Sequence, residues 1–131
     1  MKFVLIDEQQ VAPKVVDIEP SLTNYYKYLG CDLIQIIYRK IGGKEYLIIC
    51  DEEGLLRNRY PVAITFEDGE ILETLVGSIL IGALSDEEGN KQELTDNDIT
   101  NLICAENYRT FILQREGENP YRRRLLLTNV A

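Results

Sequence analysis

Strong polar donors sit tightly between two core-forming segments at Arg57-Asn58-Arg59, two leucines after the acidic turn Asp51-Glu52-Glu53-Gly54. A guanidinium presents a planar fork of N–H donors that matches a carboxylate or a phosphate, so two of them flanking a carboxamide suit recognition of an anion. Arg57, Asn58 and Arg59, with close backbone approach at Gly77, are therefore candidate residues for a small anionic ligand. The alternative is internal: the arginines pair with the chain's own carboxylates and Asn58 caps a turn.

Catalysis has little to work with. The chain has no histidine, which removes the imidazole base and the commonest zinc ligand. Carboxylates are plentiful, yet no pair of them lies in an apolar setting that would split their pKa values. Cys50 is followed by three acidic residues that disfavour its thiolate, and Cys31 and Cys104 lie in no electropositive context. Neither a phosphate-binding glycine loop nor an EF-hand spacing is present, the latter failing at the acidic stretch from Asp86. No catalytic residue, metal ligand set or cofactor is assigned, and a non-catalytic binding role suits the chain better.

Charge narrows the partners. Fourteen basic residues stand against 22 acidic ones, a net charge of -8. Such a surface repels a phosphate backbone, which disfavours direct binding of nucleic acid or anionic membranes. It attracts a basic protein, including one that itself grips DNA. The candidate partner surface is formed by Asp51, Glu52 and Glu53, by Glu67 and Asp68, and by Asp86, Glu87 and Glu88; this reading gains if those loops share one face. Arg122-Arg123-Arg124 is the one basic run, and residues 121–131 are a candidate contact with the chain's own acidic face or a second copy.

These residues must be positioned by short elements. With 131 residues and 45% hydrophobic composition, the chain closes one core as a single domain, 1–131, without disulfides. Scattered cysteines, a four-residue apolar start and the lack of a membrane-length apolar window point to a soluble cytoplasmic protein. Phe3–Ile6 and Pro13–Ile18 read as a hairpin. Leu22, Tyr25, Tyr26 and Leu29 share one face of a helix from Ser21 to Leu29, stopped by Gly30. Residues from Asp32 to Tyr38 and from Lys44 to Cys50 form a second hairpin around Gly42-Gly43. Asp51-Glu52-Glu53-Gly54 can form a turn, with Gly54 able to supply a positive φ if the turn needs one. Val62–Phe66 reads as a strand, and the long apolar stretch Ile71–Leu84 is broken at Gly77 into a segment through Val76 and a buried strand Ser78–Leu84. Thr95 caps a last helix with Asp98 three residues on. Tyr108–Gln114 and Tyr121–Leu127 read as a C-terminal hairpin extension within 108–131.

Several of these pieces occur in a characteristic order: Lys2–Ile6, Cys50-Asp51-Glu52-Glu53-Gly54, Asn58-Arg59, Gly77-Ser78-Ile79-Leu80-Ile81 and Leu94-Thr95-Asp96. In that order they resemble a family of small uncharacterised proteins of bacterial phages, plasmids and other mobile elements. The likeness spans most of residues 1–105. Arg57 stands where the family usually has a proline, and the chain continues about two dozen residues past the final helix. The resemblance implies a mobile-element setting and a compact α+β fold, and it supplies no activity. The expected architecture is α+β, a mainly antiparallel sheet of about five to seven strands with two short helices packed on it.

Overall fold

In the computed structural model, residues 1–8, 13–54, 59, 61–67, 70–103, 108–112 and 123–127 are described. The fold is α+β, as the sequence predicts, but the strands divide between two sheets. The first has the order β2-β1-β7-β4-β3, built from β1 (Lys2–Ile6), β2 (Pro13–Asp17), β3 (Ile34–Ile41), β4 (Lys44–Asp51) and β7 (Ile79–Gly82). The second has the order β6-β5-β9-β8, from β5 (Pro61–Glu67), β6 (Glu70–Val76), β8 (Tyr108–Ile112) and β9 (Arg123–Leu127). Among the described residues, all pairings are antiparallel except that of β5 with β9.

Side-chain alternation explains the layering. Along β1, β4 and β7, Val4, Ile6, Tyr46, Ile48, Cys50, Ile79 and Ile81 face one way and join Val62, Ala63 and Leu75 of the second sheet. Leu94 and Leu102, the latter on helix α2 (Asp96–Ile103), complete that core. The intervening residues Phe3, Leu5, Ile49 and Leu80 face the opposite side, where Ile18, Leu29 and Cys31 cover them. Strands buried on both faces read as unbroken apolar runs, because successive side chains alternate sides. Each isoleucine or leucine fully buried in this way contributes roughly 1.5–3 kcal/mol.

Helix α1 (Leu22–Leu29) has the expected ends. The Ser21 hydroxyl accepts from the Asn24 N–H, and Gly30 closes the helix at φ +63°. The break predicted at Gly77 is where the chain leaves one sheet for the other, since β6 ends at Val76 and β7 begins at Ile79. Gly77 has φ +84°, which an L side chain rarely adopts. The turn does not need a positive φ at Gly54, which is not among the glycines of positive φ. A Cβ there would stand 2.6 Å from the Val76 carbonyl oxygen, so close approach of β6 is what requires glycine.

Candidate functional site

Arg59 is the centre of the polar cluster at one end of the five-stranded sheet. Its backbone N–H donates to the Gly54 carbonyl at 3.2 Å, which brings the side chain back over the end of β4. The guanidinium donates through Nη2 to Glu8 Oε1 at 2.8 Å, through Nε to Glu8 Oε2 at 3.4 Å, and through Nη1 to Asp51 Oδ2 at 2.9 Å. The second Asp51 oxygen accepts the Glu53 N–H at 2.8 Å, and the Glu8 N–H donates to Ser78 Oγ at 3.0 Å. Gly77 forms the floor: a Cβ would lie 2.9 Å from the guanidinium carbon.

This arrangement is closed. The Arg59 side chain is 13% exposed, and that of Asp51 is 0% exposed. Burial pushes the guanidinium pKa down, and the hydrogen bonds and charges of Glu8 and Asp51 outweigh that and hold it above its ordinary value. An incoming anion would meet two carboxylates that Arg59 already holds. Of the four ligand candidates, the structure brings Arg59 and Gly77 into contact, while Arg57 and Asn58 lie outside the described residues. Glu8 was not singled out from the sequence; it lies 51 residues from Arg59, and only an acidic residue just past an apolar strand marks it.

The acidic loops do not share one end. β4 and β7 run antiparallel, with Ile49 opposite Leu80 and Leu47 opposite Gly82. Asp51, Glu52 and Glu53 thus lie at the end of the sheet where β7 begins, whereas Asp86, Glu87 and Glu88 follow the end where it finishes. Asp51 is buried, Glu53 half-buried and Glu52 exposed. Asp86 organises its own loop, accepting from the N–H groups of Glu88 and Asn90 and from the Asn90 and Gln92 side chains. These bonds lower its pKa, that from the Asn90 N–H foremost. Glu87 and Glu88 remain exposed beside it. The Glu67 side chain and Asp68 lie outside the described residues.

A second polar network occupies the Lys44 end. Asp98 Oδ1 accepts from Lys44 Nζ at 2.6 Å and from the Tyr46 hydroxyl at 3.1 Å, and Oδ2 accepts from the Thr95 N–H and hydroxyl at 2.9 and 3.0 Å. Asn101 Nδ2 donates to the Tyr46 oxygen and to the Ile41 carbonyl, both at 2.9 Å. Helix α2 is thereby fastened to the β3–β4 hairpin. Burial pushes the Asp98 carboxyl up, but the bonds from Lys44, Thr95 and Tyr46 prevail and bring it to about 2.

The open feature lies between these ends, on the sheet face that carries α1. An eight-residue helix is about 12 Å long and about 10 Å wide, while five strands span about 19 Å. Part of the face is left uncovered. There a groove of about 280 Å3 is lined by Phe3, Tyr25, Ile36, Tyr38, Leu47 and Ile49, with Ser85, Lys91 and Gln92 supplying polar walls. Ile36 and Tyr38 are 46% and 52% exposed. The signal in the sequence is that β3 carries apolar residues on both parities although only one short helix is available to cover them.

Residues 1–107 match the model of DUF3846, a domain of unknown function. The chain belongs to the DUF3846 family. Within it, the matched region holds β1 to β7, both helices and both polar networks, and β8 and β9 lie beyond it. No curated protein and no solved structure shows significant similarity to this chain. Among the described residues, no helix is long and apolar enough to cross a membrane.

Proposed function

We propose that this DUF3846 protein is a non-catalytic accessory protein that binds another protein through the groove beside α1 and the acidic loop adjoining it. The observation that carries the reading is the groove itself, an apolar concavity bordered by exposed Ile36 and Tyr38. Interfaces draw their energy from a few apolar anchors in such concavities, surrounded by polar residues. Ser85 of the groove wall runs directly into Asp86-Glu87-Glu88, and Gln92, another wall residue, donates to Asp86 at 3.3 Å. Groove and loop are thus one surface. Its partner presents a large apolar side chain beside lysine or arginine, and the net charge of -8 steers such a partner in. The buried thiols of Cys31 and Cys50 suit a reducing cytoplasm, and the resemblance to mobile-element proteins supports a role beside a phage, plasmid or host factor.

Affinity capture from the host lysate, eluted in salt steps, tests this. Ser85→Trp fills the groove from an exposed position, and Glu87→Lys with Glu88→Lys reverses the loop. Both should abolish capture of a protein released by moderate salt, while Glu52→Lys with Glu53→Lys, at the other end of the sheet, should leave it unchanged. Capture indifferent to Ser85→Trp and to the loop reversal would overturn the reading.

A further inference from the structure

The groove reaches an edge strand. Ile36 and Tyr38 of its wall lie on β3, which is eight residues long, has neither proline nor glycine, and among the described residues pairs only with β4. The opposite edge, β2, is five residues long, opens with Pro13 and carries Lys14, features that blunt an edge. The outward groups of β3 follow from its hairpin. Gly42 and Gly43, at φ +61° and +85°, form a two-residue loop, which makes Ile41 and Lys44 a hydrogen-bonded pair. The same parity recurs at Leu33, whose carbonyl accepts the Glu52 N–H at 3.1 Å. Odd-numbered residues of β3 therefore bond to β4, and the N–H and C=O groups of Ile34, Ile36, Tyr38 and Lys40 point away from it. The side chains of these residues share the α1 side, where Ile34 packs on the core and Ile36 and Tyr38 line the groove. Outward backbone groups and groove wall thus belong to the same residues.

We infer that the partner segment entering the groove is an extended strand that adds antiparallel to the outer edge of β3; this rests on the groove being a protein-binding site. Main-chain bonds to the outward groups hold such a strand, and its alternate side chains select it. Partner residues directly opposite Ile36 and Tyr38 turn to the α1 side, about 5 Å further out, so large apolar side chains there lean into the groove. The next partner residue on that side stands opposite Lys40, which is exposed, and charge complementarity makes it acidic. From its N-terminus the segment therefore reads acid, any residue, apolar, any residue, apolar. Ser85 follows β7, which lies two places in from β3, so the lysine or arginine that meets Asp86-Glu87-Glu88 flanks the paired strand. The Tyr38 carbonyl accepts Arg39 Nη1 at 2.7 Å, and its second lone pair remains for the added strand. The C-terminal segment, read from sequence as a self-association surface, offers no such edge at β9, which lies between β5 and β8.

Titration of the full chain with the synthetic peptide Glu-Thr-Leu-Thr-Phe-Thr-Val-Lys-Lys, followed by backbone amide exchange, tests the inference. In register, its glutamate stands opposite Lys40, its leucine opposite Tyr38 and its phenylalanine opposite Ile36. The Ile36 and Tyr38 amides should exchange at least about tenfold more slowly in the complex, while that of Ile37, which faces β4, should change little. Replacing the peptide's glutamate by lysine should weaken binding about threefold, and Lys40→Gln should erase that preference. Lys40→Pro removes an outward N–H without altering a residue of the groove wall, and should abolish binding with an unchanged melting temperature. The charge pair decides the matter even if Lys40→Pro fails to fold. Absence of amide slowing, or binding indifferent both to Lys40→Pro and to the glutamate exchange, would overturn strand addition. Lysate capture that is lost in Ser85→Trp but kept in Lys40→Pro would also overturn it and leave the groove reading standing, whereas capture kept in Ser85→Trp and in the loop reversal defeats the groove reading itself.

Discussion

The two ends of the five-stranded sheet each carry a buried carboxylate held by a cation, and they are built on opposite plans. At one end, Asp51 is wholly buried and its partner Arg59 is nearly so, the guanidinium lying between two carboxylates and the bare backbone of Gly77. At the other, Asp98 is 5% exposed but its cation, Lys44, is 59% exposed, and the carboxylate relies on Thr95 and Tyr46 as well. A cation that reaches out from solvent contributes little, whereas one buried with its partners cannot be removed without stranding a charge. The Arg59 end therefore acts as a structural knot between β1, β4 and the β6–β7 crossover, although its residue types look like an anion site. The Asp98 end fastens a helix to a hairpin through neutral groups as much as through charge.

The comparison is broken most directly by Arg59→Met. It leaves Asp51 buried with the Glu53 N–H as its remaining partner here, and should cost about 3–5 kcal/mol in urea unfolding. A cost below about 1 kcal/mol would mean that the guanidinium is dispensable to folding and available to a ligand.

A smaller effect is expected on acidification. The Asp98 carboxyl lies at about 2 in the folded protein against an ordinary 3.8, so folding favours its charged form. Its contribution is fully present above the unfolded value and is lost as pH falls through the folded one, a difference on the order of 2 kcal/mol. Unfolding free energies of wild type and Asp98→Asn, compared between pH 6 and pH 2.5, should converge as pH falls. Parallel curves would show that the carboxylate is not preferentially charged in the fold. Smallest of all should be Lys44→Met, below about 1 kcal/mol and reduced further by salt, because its ammonium is largely in water. A loss as large as that of Arg59→Met would erase the contrast between the two ends.

Much of the local structure was legible in the residues. Ser21 and Gly30 bound α1 because a hydroxyl and a left-handed residue satisfy the helix ends over three or four residues of chain. Thr95 and Asp98 bond reciprocally for the same reason. The Gly42-Gly43 hairpin and the break at Gly77 follow from backbone conformations that other residues resist. The need at Gly54 was not legible, because it is for space against Val76, a neighbour 22 residues away, and not for a φ of its own.

Sequence alone determined the α+β class, the strands and helices and most of their ends, since these depend on alternation, capping and glycine within a few residues. It also determined the overall acidity and the absence of an imidazole. Only the tertiary structure decided that the strands split into two sheets, that β7 inserts between β1 and β4, and that Glu8 reaches Arg59. It alone showed that the acidic loops fall at opposite ends and that α1 leaves Ile36 and Tyr38 in the open. The reason is physical: those outcomes depend on which apolar faces pack together across long loops, and many strand orders satisfy the same local pattern.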